Sequence, residues 1–391
     1  MIGKFIRWGT LRYALCPFLL FCLGLTAPGQ APPSQADSDL RRSLVGGSQA
    51  LQSGDNVAAE QSFRRALALE PRSMEILNNL AISLARQGKT GDAISFYERA
   101  LKIRPGDPSI ARNLAIAYFR AQRYSDAWPV LRRLNSAAPD FQTLDLAGLT
   151  LFALDRYGES AGYLERASKL NPSDLATLDV LGKAYLRTGN YQGVTSVFDR
   201  IMHADPNSAA AHVMMGMAYD KMSRDNDALG EFEAAGRADG RYPGVHAGLG
   251  QVYSKQGKTD LAMAEFQAEL KNYPTDPVAN CLLGEILLKQ NRAPDAIPHF
   301  RAAIAANPKY KEALFALGKA ELTVGNPADS VEPLRGAIAL DADYIQAHYL
   351  LGSALRKLGR ASEAAREQTA AEQIQARKRA EYSRKLSNAT H

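Results

Sequence analysis

The fold is decided by the stretch LATLDVLGKAYLRTGNYQGVTSVFDRIMHADP, residues 175–206. Two sets of apolar or small residues in it follow the spacing of one helical face, i, i+3, i+4, i+7. They are Leu178, Leu181, Gly182 and Tyr185 in the first half, and Val194, Phe198 and Ile201 in the second. Pro206 then closes the stretch, because proline cannot continue a helical hydrogen-bond ladder. The stretch therefore predicts two consecutive helices.

The same pattern recurs along the chain with a period of 34 residues. The small residue stands at Gly47, Ala81, Ala115, Gly148, Gly182, Gly216, Gly250, Gly284, Gly318 and Gly352, and a single step of 33 interrupts the series. At a close crossing of two helices, any larger side chain would push the backbones apart. The glycines from Gly148 to Gly352 are therefore predicted to be the repeat-packing residues.

A turn and a proline bound the two helices of each unit. In the second unit, the turn RQGKTGD places Gly88 where a helix can end in a left-handed conformation, and Pro105 stops the following helix. We expect two antiparallel helices of about a dozen residues per unit. Proline also stands inside three second helices, at Pro129, Pro298 and Pro333, where a bend is expected.

The order of large residue, Leu-Gly, Tyr, Ala, Phe, Ala and Pro at this period resembles the tetratricopeptide repeat. About ten units fit, from Leu40 to Lys378. The resemblance implies an all-α, right-handed superhelical solenoid of helix pairs, with the first helices lining a concave groove. The ninth unit has Glu321 in place of Tyr, and the tenth has Gln368 in place of Phe. The last helix is expected to run on to Leu386 as an extended capping helix.

The N-terminus has the layout of an export signal. Lys4, Arg7 and Arg12 precede an apolar run without charges, Tyr13 to Ala27. We interpret residues 1–27 as a secretory signal peptide or, alternatively, as an N-terminal membrane anchor, although a spanning helix needs roughly 20 apolar residues. Either interpretation places the rest of the chain outside the cytoplasm: in the periplasm, secreted, or anchored to the inner membrane and facing outward.

The remaining chain is predicted to have three parts. Residues 28–39 are rich in Pro, Ser and Gln and indicate a linker. Residues 40–378 form the repeat array, and residues 379–391 are a basic extension of the last helix with a short tail.

Charge and cysteine content exclude several classes of partner and site. The net charge of +6 falls to +3 without the leader cations, so we expect no nucleic-acid partner. Cys281 is the only cysteine outside the leader, and it is interpreted as a buried or groove-lining thiol. Neither a disulfide nor a cysteine-based zinc site is expected, so packing must hold the fold.

No motif indicates catalysis or a cofactor. The GKT triplets that begin at Gly88 and Gly257 lack the glycine that a phosphate-binding loop requires five residues earlier, and both are interpreted as turns. His212, His246 and His348 occupy the same position in their units, and whole repeats separate them, too far apart to share one metal ion. We therefore expect no enzyme, no cofactor and no metal.

By resemblance to the family, fixed positions of each first helix face the groove and provide candidates for partner binding. These are Asn78, Asn79, Ile82, Arg86, Arg112, Asn113, Ile116, Phe119, Arg120, Phe152, Lys183, Arg187, Lys221 and Lys255. Asn79 and Asn113 lie one repeat apart, and amides can both donate to and accept from the backbone of an extended peptide. The cations have two interpretations: a rim for acidic peptides, or stabilisation of helix C-termini, which we favour.

Taken with the resemblance, these features predict a non-catalytic scaffold that holds protein or peptide segments in its groove. Envelope assembly, secretion or polysaccharide export would be its setting. The alternative is an accessory subunit that recruits or regulates a separately encoded envelope enzyme. An uncleaved leader would add a membrane tether.

Overall fold

The computed structural model describes the backbone of residues 34–389 and the side chains of residues 34–384. This part of the chain forms twenty α-helices and no strands. They are α1 Gln35–Ser53, α2 Asn56–Leu69, α3 Met74–Arg86, α4 Thr90–Ile103, α5 Pro108–Arg120, α6 Tyr124–Ala137, α7 Phe141–Ala153, α8 Tyr157–Leu170, α9 Leu175–Thr188, α10 Tyr191–Ala204, α11 Ala209–Lys221, α12 Asp225–Ala238, α13 Val245–Lys255, α14 Thr259–Asn272, α15 Pro277–Lys289, α16 Ala293–Ala306, α17 Lys311–Thr323, α18 Pro327–Leu340, α19 Ile345–Lys357 and α20 Ala361–Ala389. The predicted leader, residues 1–27, lies outside the described residues.

The chain divides into two compact units after Ala204. The first contains α1 to α10 and the second contains α11 to α20. Within each unit, the two helices of a pair contact each other, and the second helix of one pair contacts the first helix of the next. The predicted all-α stack of ten helix pairs is confirmed. Between residues 34 and 389, no helix combines the length and the hydropathy that crossing a membrane requires.

A residue in the left-handed region follows the first helix of every pair. The ten are Gly54, Gly88, Gln122, Asp155, Gly189, Ser223, Gly257, Asn291, Gly325 and Gly359, with φ between +57° and +86°. The predicted left-handed cap at Gly88 is confirmed, and so is the interpretation of both GKT triplets as turns. The non-glycine residues among the ten adopt a conformation that their Cβ atoms disfavour.

The glycine column packs against the large residue sixteen positions later. A Cβ atom would lie 2.5–2.9 Å from that side chain at Gly148, Gly216, Gly250, Gly284 and Gly318. Gly182 is buried as well. Gly352 differs, because the exposed Gln368 replaces the aromatic ring, and the nearest atom to an added Cβ is the Ala364 carbonyl oxygen at 3.4 Å. Inside the array, glycine therefore lets a large side chain pack closely against the first helix, whereas at Gly352 in the last pair this close contact is absent.

The array begins earlier than predicted. Helix α1 starts at Gln35, inside the segment 28–39 that we expected to be a linker. Ser34 Oγ accepts a hydrogen bond from the Asp37 N–H at 3.1 Å, and an Asp37 carboxylate oxygen accepts from the Ser34 N–H at 3.2 Å. This reciprocal capping box satisfies two backbone donors at the helix start, which explains the earlier beginning.

The array ends in the predicted capping helix. Helix α20 is 29 residues long and runs to Ala389, past the expected end at Leu386. Ala371 and Ile374 are buried, whereas residues 376–384 are exposed. A polar outer surface of this kind is what a terminal repeat needs in water.

One departure from the repeat pattern, Glu321 in place of Tyr, has a structural explanation. Tyr118 donates to Glu98 on the second helix of the preceding pair at 2.6 Å. Glu321 stands at the equivalent position and instead accepts a hydrogen bond from Arg301 Nη2 at 2.7 Å. The first helix therefore supplies the acceptor in place of the donor, and the hydrogen bond between neighbouring pairs is kept.

The bends expected at the three internal prolines stay predictions. Pro129 lies inside α6, which continues through it without a break. The same holds for Pro298 in α16 and Pro333 in α18.

Candidate partner-binding site

Side-chain amides form a network across the first helices α3 and α5. Asn113 Nδ2 donates to Asn78 Oδ1 at 3.2 Å, and Asn78 Nδ2 approaches Asn79 Oδ1 at 3.5 Å. The three amides are at most 1% exposed. Because α3 and α5 contact each other, residues one repeat apart are brought together. The structure therefore places Asn79 and Asn113 in one buried amide network, and their use by a peptide stays a prediction.

The polar row continues onto α7 and α9. Asp145 is fully buried, and its Oδ1 accepts a hydrogen bond from Thr177 Oγ1 at 2.7 Å, again across one repeat. Thr177 is missing from the sequence-based candidates, since a threonine in the first turn of a helix resembles an ordinary capping residue. The first helices of the first unit therefore carry a row of side-chain amides, a carboxylate and a hydroxyl.

Apolar candidates flank this row. Ile82, Ile116 and Phe119 are at most 2% exposed. The Phe119 ring meets Tyr124 edge-on, with centroids 5.4 Å apart. Phe152 is half-buried and contacts another tyrosine in the same way, at 5.1 Å. Ile82, Ile116 and Phe119 therefore belong to the core of the first unit, and Phe152 is the one apolar candidate that is partly exposed.

Two of the predicted cations bind the C-terminus of the first helix one repeat earlier. Arg86 Nη1 donates to the Leu51 carbonyl oxygen at 3.0 Å. Lys255 Nζ donates to the Asp220 carbonyl oxygen at 3.2 Å and to its carboxylate at 2.6 Å. Leu51 and Asp220 lie in last turns, where carbonyl groups lack helical partners. These contacts favour the helix-end interpretation for Arg86 and Lys255.

Two other candidate cations are held by carboxylates. Lys183 pairs with Asp179 on its own helix at 2.6 Å. Arg112 pairs with Asp140, which caps the next first helix. Both side chains are therefore engaged within the fold.

The last three candidate cations differ in their surroundings. The Arg187 guanidinium lies 5.8 Å from the centroid of the Tyr157 ring. Arg120 is half-buried, and burial lowers the pKa of its guanidinium. Lys221 is exposed at the end of α11.

Chemistry-bearing residues elsewhere have structural roles. His212, His246 and His348 each place Nδ1 2.7 Å from a carboxylate oxygen of the paired second helix, on Glu231, Glu265 and Glu367 respectively. Cys281 is 1% exposed, and burial raises the pKa of its thiol to about 12, which keeps it protonated and unreactive. In the described part of the chain, no group of three or more His, Cys, Asp or Glu could hold a metal ion.

Comparison with known families accounts for most of the chain. One tetratricopeptide repeat profile matches residues 44–108, 146–209, 213–277, 281–345 and 316–379, and a second matches residues 84–147. The chain belongs to the tetratricopeptide repeat family. Tetratricopeptide repeat proteins are in general non-catalytic scaffolds for protein interactions.

Several solved structures of tetratricopeptide repeat proteins are similar to this one. YrrB, a protein with an unusual peptide-binding site, is 20% identical, with 47% of this chain and 95% of that chain covered and a TM-score of 0.43. MamA from Desulfovibrio magneticus RS-1 is 21% identical, with 43% and 96% covered and a TM-score of 0.41. The Cut9–Hcn1 hetero-tetramer of the APC/C gives 12% identity, 88% and 87% coverage and a TM-score of 0.42. No curated protein matches the chain.

Proposed function

We propose that this tetratricopeptide repeat protein holds extended segments of partner proteins against its first helices. The polar row on α3, α5, α7 and α9 is the main support. Its amides carry both the acceptors and the donors that the backbone of an extended peptide requires. The side chains of the row are at most 1% exposed, so a bound peptide must replace the present hydrogen bonds between them. The half-buried Phe152 adds apolar contact.

The proposal also concerns where the protein works. The basic and then apolar layout of residues 1–27 supports a role outside the cytoplasm, in envelope assembly, secretion or polysaccharide export. Mass spectrometry of the N-terminus of the native protein tests this part. A mature chain that begins shortly after residue 27 would support export, a retained leader would support anchoring, and an intact chain in the cytosol would contradict both.

The binding proposal is tested in two steps. Cross-linking in the native cell envelope, followed by capture of the protein, first identifies the bound segment. The segment is then titrated against wild type and the double variant Asn79→Ala/Asn113→Ala. We expect an affinity loss of about 30-fold, because two backbone hydrogen bonds are removed and each contributes about 1 kcal/mol.

Asn280→Ala is the matched control. Asn280 is another buried amide on a first helix, 3% exposed, and it bonds to the carbonyl oxygens of Pro274 and Asp276 instead of joining the row. If the control weakens binding as much as the double variant, or if the double variant binds like wild type, the peptide clamp is refuted. Capture of one stoichiometric enzyme in place of diverse segments would instead support the accessory-subunit alternative.

A further inference from the structure

The second helices of the first unit carry one arginine each at the same register. These arginines, which we call the arginine row, are Arg65, Arg99, Arg133, Arg166 and Arg200, on α2, α4, α6, α8 and α10. The equivalent residues of the second unit are Ala234, Ala268, Ala302, Gly336 and Ala370. The row was missed in the sequence because the charge is unremarkable when it is counted along the chain instead of by repeat position.

The arginine row presents its charge to solvent. Arg65, Arg99, Arg133 and Arg166 are exposed, whereas Arg200 is half-buried and its guanidinium donates to the hydroxyl and to the carbonyl oxygen of Ser168, each at 3.2 Å. Within residues 34–384, none of the five forms an ion pair. The guanidinium groups of Arg99 and Arg166 lie over aromatic rings of their own helices, 5.2 and 5.5 Å from the centroids. The stems are thus held while the charges stay uncompensated.

The residues around the row keep its face basic and partly apolar. Four positions after an arginine, on the same face, Leu69, Ile103 and Leu170 are 44%, 46% and 58% exposed. Lys102 and Lys169 add charge three positions after. No acidic residue stands three or four positions before or after any arginine of the row.

Arg200 has a structural role, since it bonds the last turn of α8, but folding does not account for the four exposed arginines. Alanine has a higher helix propensity than arginine, and the second unit builds the same helices with alanine or glycine at this register. An exposed cation without a carboxylate partner adds little to stability. The recurrence in all five pairs of one unit, and in none of the other, therefore points to a surface with its own use.

We propose that the arginine row binds the phosphate groups of an anionic membrane, with Leu69, Ile103 and Leu170 entering the interfacial layer. The planar guanidinium group binds phosphate oxygens in a bidentate manner. Basic surfaces that also expose aliphatic side chains are suited to the lipid interface. Single-stranded nucleic acid would instead call for aromatic rings free to stack on bases, whereas Phe96 and Tyr163 are half-buried and lie beneath Arg99 and Arg166. The row lies on the second helices, so this surface is separate from the proposed peptide site.

Vesicle co-sedimentation of the full chain tests the proposal. Vesicles contain either phosphatidylcholine alone or phosphatidylcholine with about 30% phosphatidylglycerol, which supplies a negative surface potential. The readout is the difference in affinity between the two vesicles, because a retained leader would insert equally into both. The row variant is Arg99→Gln/Arg133→Gln/Arg166→Gln. Its control, Arg237→Gln/Lys271→Gln/Lys309→Gln, removes three exposed cations from the second unit.

We expect the wild type and the control to prefer the anionic vesicles, and the row variant to lose about fivefold per arginine, on the order of 100-fold in all. Leu69→Ser/Ile103→Ser/Leu170→Ser should also weaken binding, and its loss should persist at high salt. Equal losses in the row variant and the control would overturn the proposal, since net charge would then suffice. A wild type that binds both kinds of vesicle equally would also overturn the proposal. The same holds for a row variant that still prefers anionic vesicles but no longer binds an acidic protein or nucleic acid. Unchanged melting curves check that the variants are folded.

Discussion

Replacing Gly284 with alanine tests the packing principle of the array. A Cβ atom there would lie 2.7 Å from Cε1 of Phe300, whereas carbon atoms in good contact are about 3.5–4.0 Å apart. The Phe300 ring is fully buried, so it cannot swing into solvent. Overpacking of this kind costs about 1–3 kcal/mol. Alanine gains about 1 kcal/mol over glycine in a helix interior, so we expect a net loss of roughly 0–2 kcal/mol.

Gly352→Ala is the matched control. The nearest atom to its added Cβ is a carbonyl oxygen at 3.4 Å, which is ordinary contact, so the helix propensity should dominate and stabilise the chain by up to about 1 kcal/mol. Native-state hydrogen exchange of α15–α16 and α19–α20 measures both effects locally. The double variant Gly284→Ala/Phe300→Leu recreates the natural pair Ala115 and Leu131 and should recover part of the loss. Changes of equal size and sign at Gly284 and Gly352 would refute the steric account.

Four further substitutions have expected outcomes in chemical denaturation. Gln122→Gly should stabilise the chain by about 1 kcal/mol, because Gln122 holds φ at +58°, where glycine is favoured. Gly88→Ala should destabilise it by a similar amount, because it places a Cβ atom at a position with positive φ. Stability changes of the same sign in the two variants would contradict this account. A hydrogen bond from Lys89 lowers the pKa of Glu60 to about 2, so this carboxylate stabilises the fold above its unfolded pKa near 4.5, and the contribution is lost as the pH falls from 4.5 towards 2. Glu60→Gln should therefore lower the free energy of unfolding by about 1–2 kcal/mol at pH 7, after allowance for the half-exposed lysine. The variant's free energy of unfolding should also depend less on pH between pH 5 and about 2. An unchanged pH dependence would show that the Glu60–Lys89 pair does not stabilise the fold. Tyr97→Phe should leave stability unchanged or raise it by about 1 kcal/mol, since the buried hydroxyl has no hydrogen-bond partner among the described residues; a loss above that size would mean that the hydroxyl is bonded.

The regular part of the fold could be predicted because each unit repeats the same helix-ending and packing residues. Gly88 ends a helix and Pro105 stops the next, and glycine at one register leaves room for a large residue sixteen positions later. The start at Gln35 could not be located from the repeat pattern, since it depends on the capping box of Ser34. Periodicity therefore predicts the interior of the array better than its beginning.

The candidate site was only partly predictable, because side-chain partners depend on the distance between repeats. The sequence places Asn79 and Asn113 at one register but does not show that Asn78 links the two repeats. The sequence allows two interpretations of Arg86, a rim for acidic peptides or stabilisation of a helix C-terminus. Its contact with the carbonyl oxygen of Leu51 favours the second. A contact between residues 35 positions apart has no local signature in a sequence.

A repeat array provides its own reference for separating function from folding. Gly148, Gly216, Gly250, Gly284 and Gly318 keep one residue type, because a ring or a leucine packs against each of them. Arg99 and Ala268 occupy the same backbone position, and although the Arg99 stem rests on the Phe96 ring, its charge stays exposed. The residue type at this position divides sharply between the two compact units. Packing explains columns that stay constant, whereas an exposed charge that recurs at one helical register in a single unit requires a different cause. For the arginine row, the exposed aliphatic residues on the same face make contact with an anionic lipid surface the cause that fits best.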